Sequence, residues 1–208
     1  MPAATFDLEQ KLYKKGYQHI AGIDEAGRGS WAGPIVAAAV ILSRNFPLLN
    51  HALRDSKQLS AKQRDRLCKI IKANSLNYQI SIIDRNYIDQ YGINQANIEV
   101  IKQSALKLQP QADCLLIDGL KIAISLPTYF KLIPQGDSSV ASIAAASILA
   151  KTARDYIMQE LAKKYPQYGF DKHKGYGTAM HQEKLTQHGP CAIHRQSYGP
   201  IKKYLTYV

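Results

Sequence analysis

Ile20-Ala21-Gly22-Ile23-Asp24-Glu25-Ala26-Gly27-Arg28-Gly29 passes from apolar residues through two adjacent carboxylates into a Gly-Arg-Gly turn. The apolar part reads as a short buried strand, which puts Asp24 and Glu25 at a rigid strand end. The glycines that follow let backbone amides approach a ligand closely. Acid, glycine and arginine at one strand end suit metal-assisted phosphate chemistry. In isolation the same string also reads as an acidic strand end followed by an ordinary glycine turn, so the rest of the chain has to decide.

Working outward, Pro34 to Leu42 is apolar and rich in Val and Ile, as expected of a second strand paired with the first. Leu76 to Asp84 alternates well enough for a third. Between them, Ser60-Ala61-Lys62-Gln63 has the form of a capping box, and Leu67, Ile70 and Ile71 follow at helical spacing, predicting an amphipathic helix with a basic outer face. Asn94 to Leu108 is helical through Ile98, Ile101, Ala105 and Leu108. Cys114 to Ile117 is a short strand that ends in Asp118-Gly119, so a second acid ends a second strand. Tyr129 to Ile133 is a further strand candidate. Ser138 to Lys163 reads as a long helix whose small residues, Ala144, Ala145, Ala146, Ala150 and Ala153, allow close approach to a sheet. From Tyr165 onward Gly, Pro, His and Tyr become frequent, predicting a loop-rich segment with one short helix near Ala179 to His188. The expected organisation is an α/β catalytic domain over residues 1–164, with residues 165–208 packed on it.

A chain of 208 residues fits one domain. Its 27 Lys and Arg against 16 Asp and Glu give a net charge of +11, while 46% hydrophobic and 21% charged content exclude a disordered basic tail. A folded basic protein meets something anionic. Nucleic acid ranks ahead of a membrane surface, because the basic residues are spread along the chain and not gathered on one amphipathic helix. Cys68, Cys114 and Cys191 are odd in number and far apart, the pattern of reduced thiols and not of a disulfide framework. The N-terminal residues lack an apolar signal core, and the apolar runs near Ala32 to Leu42 and Ala141 to Ala150 are too short to span a bilayer. A cytoplasmic protein is expected.

The acids Asp24, Glu25, Asp118 and Asp137 form the constellation to test. Each has an ordinary alternative: Asp137 as a helix N-cap, Asp118 in a turn, Glu25 facing solvent. Period-2 alternation also sends Asp24 and Glu25 to opposite faces of a regular strand, so both converge only if the strand bends. Four convergent carboxylates ~5 Å apart would repel by roughly 3 kcal/mol per pair at an effective dielectric of about 20. Relief comes from protons or cations, and an all-oxygen ligand set suits Mg²⁺ or Mn²⁺. Two such ions can clamp a scissile phosphate, one activating water and one stabilising the leaving oxygen, with no protein nucleophile. His173, His181, His188 and His194 match no common zinc spacing, and the cysteines do not join them.

These stretches resemble the bacterial ribonuclease HII family, the type 2 ribonucleases H. The resemblance is carried by Gly22 to Gly29 with Ala32-Gly33-Pro34, Asp55-Ser56-Lys57, Ile117-Asp118-Gly119, and Gly136-Asp137 leading into Ala144 to Lys151. Arg154-Asp155, His173 to Thr178 and His194 to Tyr198 complete it. It implies a ribonuclease H-like fold, a mixed five-stranded sheet flanked by helices, with a C-terminal helical segment that helps hold the duplex. It also implies an endonuclease that cuts RNA in RNA/DNA hybrids, and cuts 5′ to a single ribonucleotide embedded in duplex DNA, leaving 3′-hydroxyl and 5′-phosphate ends. On matching positions, Asp24, Glu25, Asp118 and Asp137 become the metal-binding catalytic acids. Gly27, Arg28 and Gly29 become contacts to the ribonucleotide, and Tyr176 packs against the sugar at the RNA to DNA junction. Lys57, Lys151, Lys174 and Arg195 are candidate phosphate contacts, which set affinity without reading sequence.

Gln135 and Ser139 stand where the family often carries basic residues, which lowers the local positive charge beside Asp137. The competing readings are another two-metal nuclease of the same fold acting on DNA junctions, and a non-catalytic hybrid-binding repair scaffold. A monomer is expected, since nothing in the pattern demands an obligate interface.

Overall fold

The computed structural model describes residues 4–46, 53, 59–119 and 123–205. Five strands form one mixed sheet: β1 (Ile20–Ala26), β2 (Ile35–Leu42), β3 (Ser75–Ile83), β4 (Cys114–Asp118) and β5 (Tyr129–Ile133), in the order β3-β2-β1-β4-β5. The first three pair antiparallel and β1-β4-β5 pair parallel. The α/β class, the sheet and the strands expected from the sequence are therefore present. β1 and β2 are almost wholly buried and β2 is apolar throughout, as required of central strands covered on both faces.

Helices α2 (Ala61–Asn74) and α4 (Ala141–Lys164) cover one face, with Ala38, Val40 and Leu42 of β2 in the shared core. Helix α3 (Arg85–Leu106) covers the other, over Ile35, Ala37, Ala39 and Ile41. The small face of α4 does what its composition implies. A Cβ at Gly22 of β1 would sit 2.1 Å from the carbonyl carbon of Ser142, so glycine on the strand and alanines on the helix together permit this approach. The capping box of α2 is formed, Ser60 Oγ accepting from Gln63 N–H and Gln63 Oε1 from Ser60 N–H.

Before residue 165, two elements differ from expectation. Helix α3 begins at Arg85, not Asn94, because the Asp84 carboxylate caps it by accepting from Tyr87 N–H at 3.0 Å. The chain then kinks at Gly92, where φ is 82°, and continues. The polar N-terminus forms α1 (Asp7–Lys14), and its buried Glu9 accepts from Ser142 N–H at 2.8 Å. Val140, the N-cap of α4, offers no side-chain bond, so Glu9 supplies a capping carboxylate from another helix.

The C-terminal residues form α5 (Phe170–His173), α6 (Ala179–His188) and α7 (Gly199–Lys202); α6 is the short helix expected, and the single turns α5 and α7 are additional to it. Tyr168 and Phe170 pack with Met158 and Ala162 of α4 and with Ala32 of the loop after β1. The three cysteines are free thiols, two buried and one partly exposed. Among the described residues no helix is long and apolar enough to cross a membrane.

Candidate active site

The parallel register sets the site. Ile23 pairs with Ile117, so the next residues, Asp24 and Asp118, stand side by side at the carboxyl ends of β1 and β4. Ligand sites in parallel sheets gather at that end. Asp137 arrives from the turn of 3₁₀ helix Gly136–Ser138. It does not cap α4, whose N-cap is Val140, so the ordinary alternative for this acid is not realised. One carboxylate oxygen from each of Asp24, Asp118 and Asp137 lies within 4.8 Å of the others. Asp24 and Asp137 are buried, at 6% and 7% exposure.

Glu25 does not join those three. β1 stays in register with β2 through Ala26, so alternation holds and the strand does not bend early. Asp24 opposes Ala38 on the α4 face, and Glu25 opposes Ala37 on the α3 face. Glu25 lines the same cleft from its rim, and its charge acts on Asp24.

The acids are held by local donors. Asp24 Oδ1 accepts from Glu25 N–H at 2.7 Å, and Ser147 of α4 also bonds its carboxylate. Asp118 Oδ1 accepts from Gly119 N–H at 2.9 Å and Gly136 N–H at 2.7 Å, which ties the third acid's turn to the second acid. Burial raises the Asp24 pKa well above the ordinary range, and the charges of Glu25 and Asp118 raise it further. Each carboxylate pair at this spacing repels by about 3 kcal/mol at an effective dielectric near 20. A hard divalent cation would offset that, and an all-oxygen donor set of aspartates fits one.

Beside the acids, Gly27, Arg28 and Gly29 form the cleft wall. Gly27 has φ +96°, and a Cβ there would lie 2.0 Å from Arg154 Nε, so only glycine fits. Two fully buried arginines support this loop from beneath. Arg154 donates to Pro34 O, Ala32 O, Lys174 O and Ser30 Oγ, and Ser30 Oγ in turn donates to Gly27 O at 2.7 Å. Arg195 donates to Gly33 O, Pro34 O and, at 3.0 Å, Arg28 O. Carbonyls 27 and 28 are thus drawn inward, and in a trans peptide the N–H of the next residue points the opposite way. The amides of Arg28 and Gly29 therefore face the cleft. Burial lowers the Arg154 pKa to about 10, which leaves it cationic at neutral pH.

The candidate phosphate contacts separate. Lys151 lines the acid cleft, and its Nζ lies 2.7 Å from Asp155 Oδ1 and 5.3 Å from the Tyr176 ring centroid. Tyr176 lines that cleft too. Lys174 lines the adjoining groove between α2 and α4, and its ammonium donates to Asp171 O. Arg195 corrects the sequence expectation: at 0% exposure, with its guanidinium spent on carbonyls and Tyr198 Oη, it has no surface to offer a phosphate. Asp55, Ser56 and Lys57 lie outside the described residues.

Sequence reasoning gave no role to four residues that shape the site. Ser147 entered only as part of the Ala144 to Lys151 motif, with no contact assigned to it. Arg64 of α2 reaches the cleft and pairs with Asp155 at 3.1 Å, so one buried carboxylate holds two cations at the rim. Arg154 and Asp155 were marked by motif, but their contacts span the fold.

A family model described as Ribonuclease HII matches residues 21–200. The chain is 46% identical over 203 residues to a Ribonuclease HII of Endomicrobium trichonymphae, covering 97% of this chain and 95% of that one. It is 44% identical to a Ribonuclease HII of Syntrophotalea carbinolica, covering 95% and 93%. Among solved structures, ribonuclease H2 from Pyrococcus horikoshii superposes with a TM-score of 0.75 at 22% identity, over 90% of this chain and 97% of that one. A Bst-RNase HIII solved in complex with Mn²⁺ gives 0.73 at 19% identity, over 90% and 69%. At these identities the structural likenesses speak for the fold.

Proposed function

This chain belongs to the ribonuclease HII family and is a metal-dependent ribonuclease H endonuclease; on that premise we propose that its acidic cleft cuts 5′ to ribonucleotides within duplexes, single ones in DNA included. The observation that carries this reading is the convergence of Asp24, Asp118 and Asp137 beside outward-facing amides of the Gly-Arg-Gly loop, with Tyr176 in the same cleft.

Asp24, Asp118 and Asp137 would hold the divalent ions, with Glu25 at the rim. Bound there, Mg²⁺ or Mn²⁺ supplies Lewis acidity and a water nucleophile at neutral pH. The protein contributes placement. Ser147 and the backbone donors at Asp24 and Asp118 fix the carboxylates before substrate arrives. The Arg28 and Gly29 amides can donate to a ribose 2′-hydroxyl, the group that separates RNA from DNA. Lys151 and Arg64 contact flanking phosphates, positioning the duplex without reading bases. The Tyr176 ring packs on the sugar at the junction. The enzyme acts as a monomer, and a concentration-independent dimer in gel filtration would oppose that part.

The deciding experiment is cleavage of an end-labelled DNA duplex with one ribonucleotide, with Mg²⁺, Mn²⁺ or chelator, beside an all-DNA control. A metal-dependent cut on the 5′ side of the ribose, absent on all-DNA, is the expected result. Cleavage confined to long RNA/DNA hybrids would remove single-ribose recognition. Cleavage of all-DNA junctions would replace the substrate class.

A further inference from the structure

The C-terminal segment carries three buried imidazoles that the hydrolysis does not use. His173, His181 and His194 are 9%, 0% and 0% exposed, and the first two stack with centroids 4.3 Å apart. Among the described residues the candidate cation-holding cluster is that of the aspartates, and these rings are not part of it.

Backbone donors fix the tautomers. Cys191 N–H donates to His194 Nδ1 at 2.8 Å, so a neutral His194 carries its proton on Nε2. That nitrogen lies 3.0 Å from His181 Nε2, which must accept, leaving the His181 proton on Nδ1, 2.9 Å from Tyr176 O. The bonds therefore run one way, from Cys191 through His194 and His181 to the Tyr176 carbonyl. His173 is set likewise: Gly175 N–H donates to its Nδ1 at 3.2 Å, and its Nε2–H donates to Tyr168 O at 2.8 Å. Burial first, and neighbouring imidazoles after it, lower His181 to about 4 and His194 to about 3, which keeps both neutral at working pH.

We infer that His181, backed by His194, is a positioning residue that fixes the backbone of Tyr176 and so sets discrimination at the ribose junction. The inference rests on the reading of Tyr176 given above. Tyr176 O also accepts from Thr178 N–H at 2.9 Å, and Tyr176 N–H donates to His173 O at 2.9 Å. Both peptide groups flanking the tyrosine Cα are thereby pinned, which fixes the direction its ring leaves the backbone. The ring then stands 5.2 Å from the Arg154 guanidinium and 5.3 Å from Lys151 Nζ. Without the imidazole donor the peptide carrying Tyr176 O is freer to rotate, and the ring loses its fixed aim.

The test compares kcat/KM for a single-ribonucleotide duplex and for a continuous RNA/DNA hybrid. His181→Asn keeps an amide donor near the position of Nδ1. His181→Gln keeps a polar group near Nε2 but lacks the donor to Tyr176. His181→Gln is expected to lower the single-ribonucleotide value relative to the hybrid by roughly three- to tenfold, the scale of one buried hydrogen bond, while His181→Asn holds the ratio. Tyr176→Ala sets the full size of the effect. A ratio moved by Tyr176→Ala but untouched by His181→Gln overturns the inference and spares the reading of Tyr176; a ratio untouched by Tyr176→Ala overturns both. On the unaltered protein, imidazole ¹H–¹⁵N spectra should show His181 as Nδ1–H and His194 as Nε2–H. The opposite His181 tautomer would overturn the inference however the variants fold.

Discussion

Asp24 and Asp118 stand on adjacent parallel strands one step beyond the Ile23–Ile117 pair, with carboxylate oxygens within 4.8 Å of each other and of Asp137. Two acids 94 positions apart in the chain thus behave as one ligand set. Their repulsion in the absence of metal is the cost of that preorganisation.

Asp24→Asn is expected to cut cleavage severely while stabilising the metal-free protein. The folded state holds the Asp24 proton more tightly than the unfolded chain, because burial and then the charges of Glu25 and Asp118 raise its pKa. Stability without metal therefore falls as pH rises from the ordinary carboxylate value through the folded one. Removing the charge should raise stability in chelator at neutral pH by about 1 kcal/mol or more, given ~3 kcal/mol per carboxylate pair. Activity should fall roughly a thousandfold, several kcal/mol of lost transition-state stabilisation. Thermal melts with chelator and with Mn²⁺, beside turnover assays, check both; a destabilised variant would refute the repulsion account.

Gly27 and Gly29 should respond oppositely to alanine. Gly27→Ala meets the Arg154 side chain at a positive φ and should cost roughly 2–5 kcal/mol. A Cβ at Gly29 meets nothing within 4 Å, so Gly29→Ala should leave stability within about 0.5 kcal/mol. Its effect belongs to substrate: kcat/KM should drop at least about tenfold, because the added methyl occupies the space where a sugar approaches the amide. Denaturant melts and steady-state kinetics on the two variants separate fold from function.

Arg195 and Lys151 likewise divide. Arg195→Ala takes a donor from the carbonyls of Arg28, Gly33 and Pro34 and empties a buried site beneath the loop. Gly33 O loses its side-chain partner, while Arg154 still serves Pro34 O and Tyr198 Oη still serves Arg28 O. The variant should lose about 3–5 kcal/mol of stability. Lys151→Ala should keep its melting temperature within a few degrees. Its mark should appear in the salt dependence of duplex binding, where the slope of log K against log salt becomes shallower by about 0.9. An unchanged slope would remove Lys151 from the phosphate contacts.

The buried histidines make the fold acid-labile. A histidine lowered from 6.5 to about 4 or about 3 binds its proton less readily folded than unfolded. Stability is then full above pH 6.5 and declines as pH falls toward those folded values. Melts from pH 7 to 4 on the Asp24→Asn protein, which lacks the opposing aspartate titration, should show this decline. Adding His194→Gln should make it shallower.

Local signals in the sequence were enough for the strands, the capped helix α2, the small face of α4 and the placement of Asp24 and Asp118 at strand ends, since alternation, capping and side-chain size act over a few residues. Those signals missed α1, whose Glu9 is explained only by Ser142 133 positions away, and the start of α3, whose cap was counted as strand. Chain position alone could not tell Lys151 at the cleft from Arg195 beneath it; both are basic residues within motifs. Only tertiary structure decided that Asp24 faces α4 while Glu25 faces α3, that two arginines turn the Gly-Arg-Gly amides outward, and that His194 speaks to Tyr176 through His181. The physical reason is range: strand register and buried hydrogen bonds join residues that are far apart in the chain, and no local pattern encodes which donor will meet which acceptor.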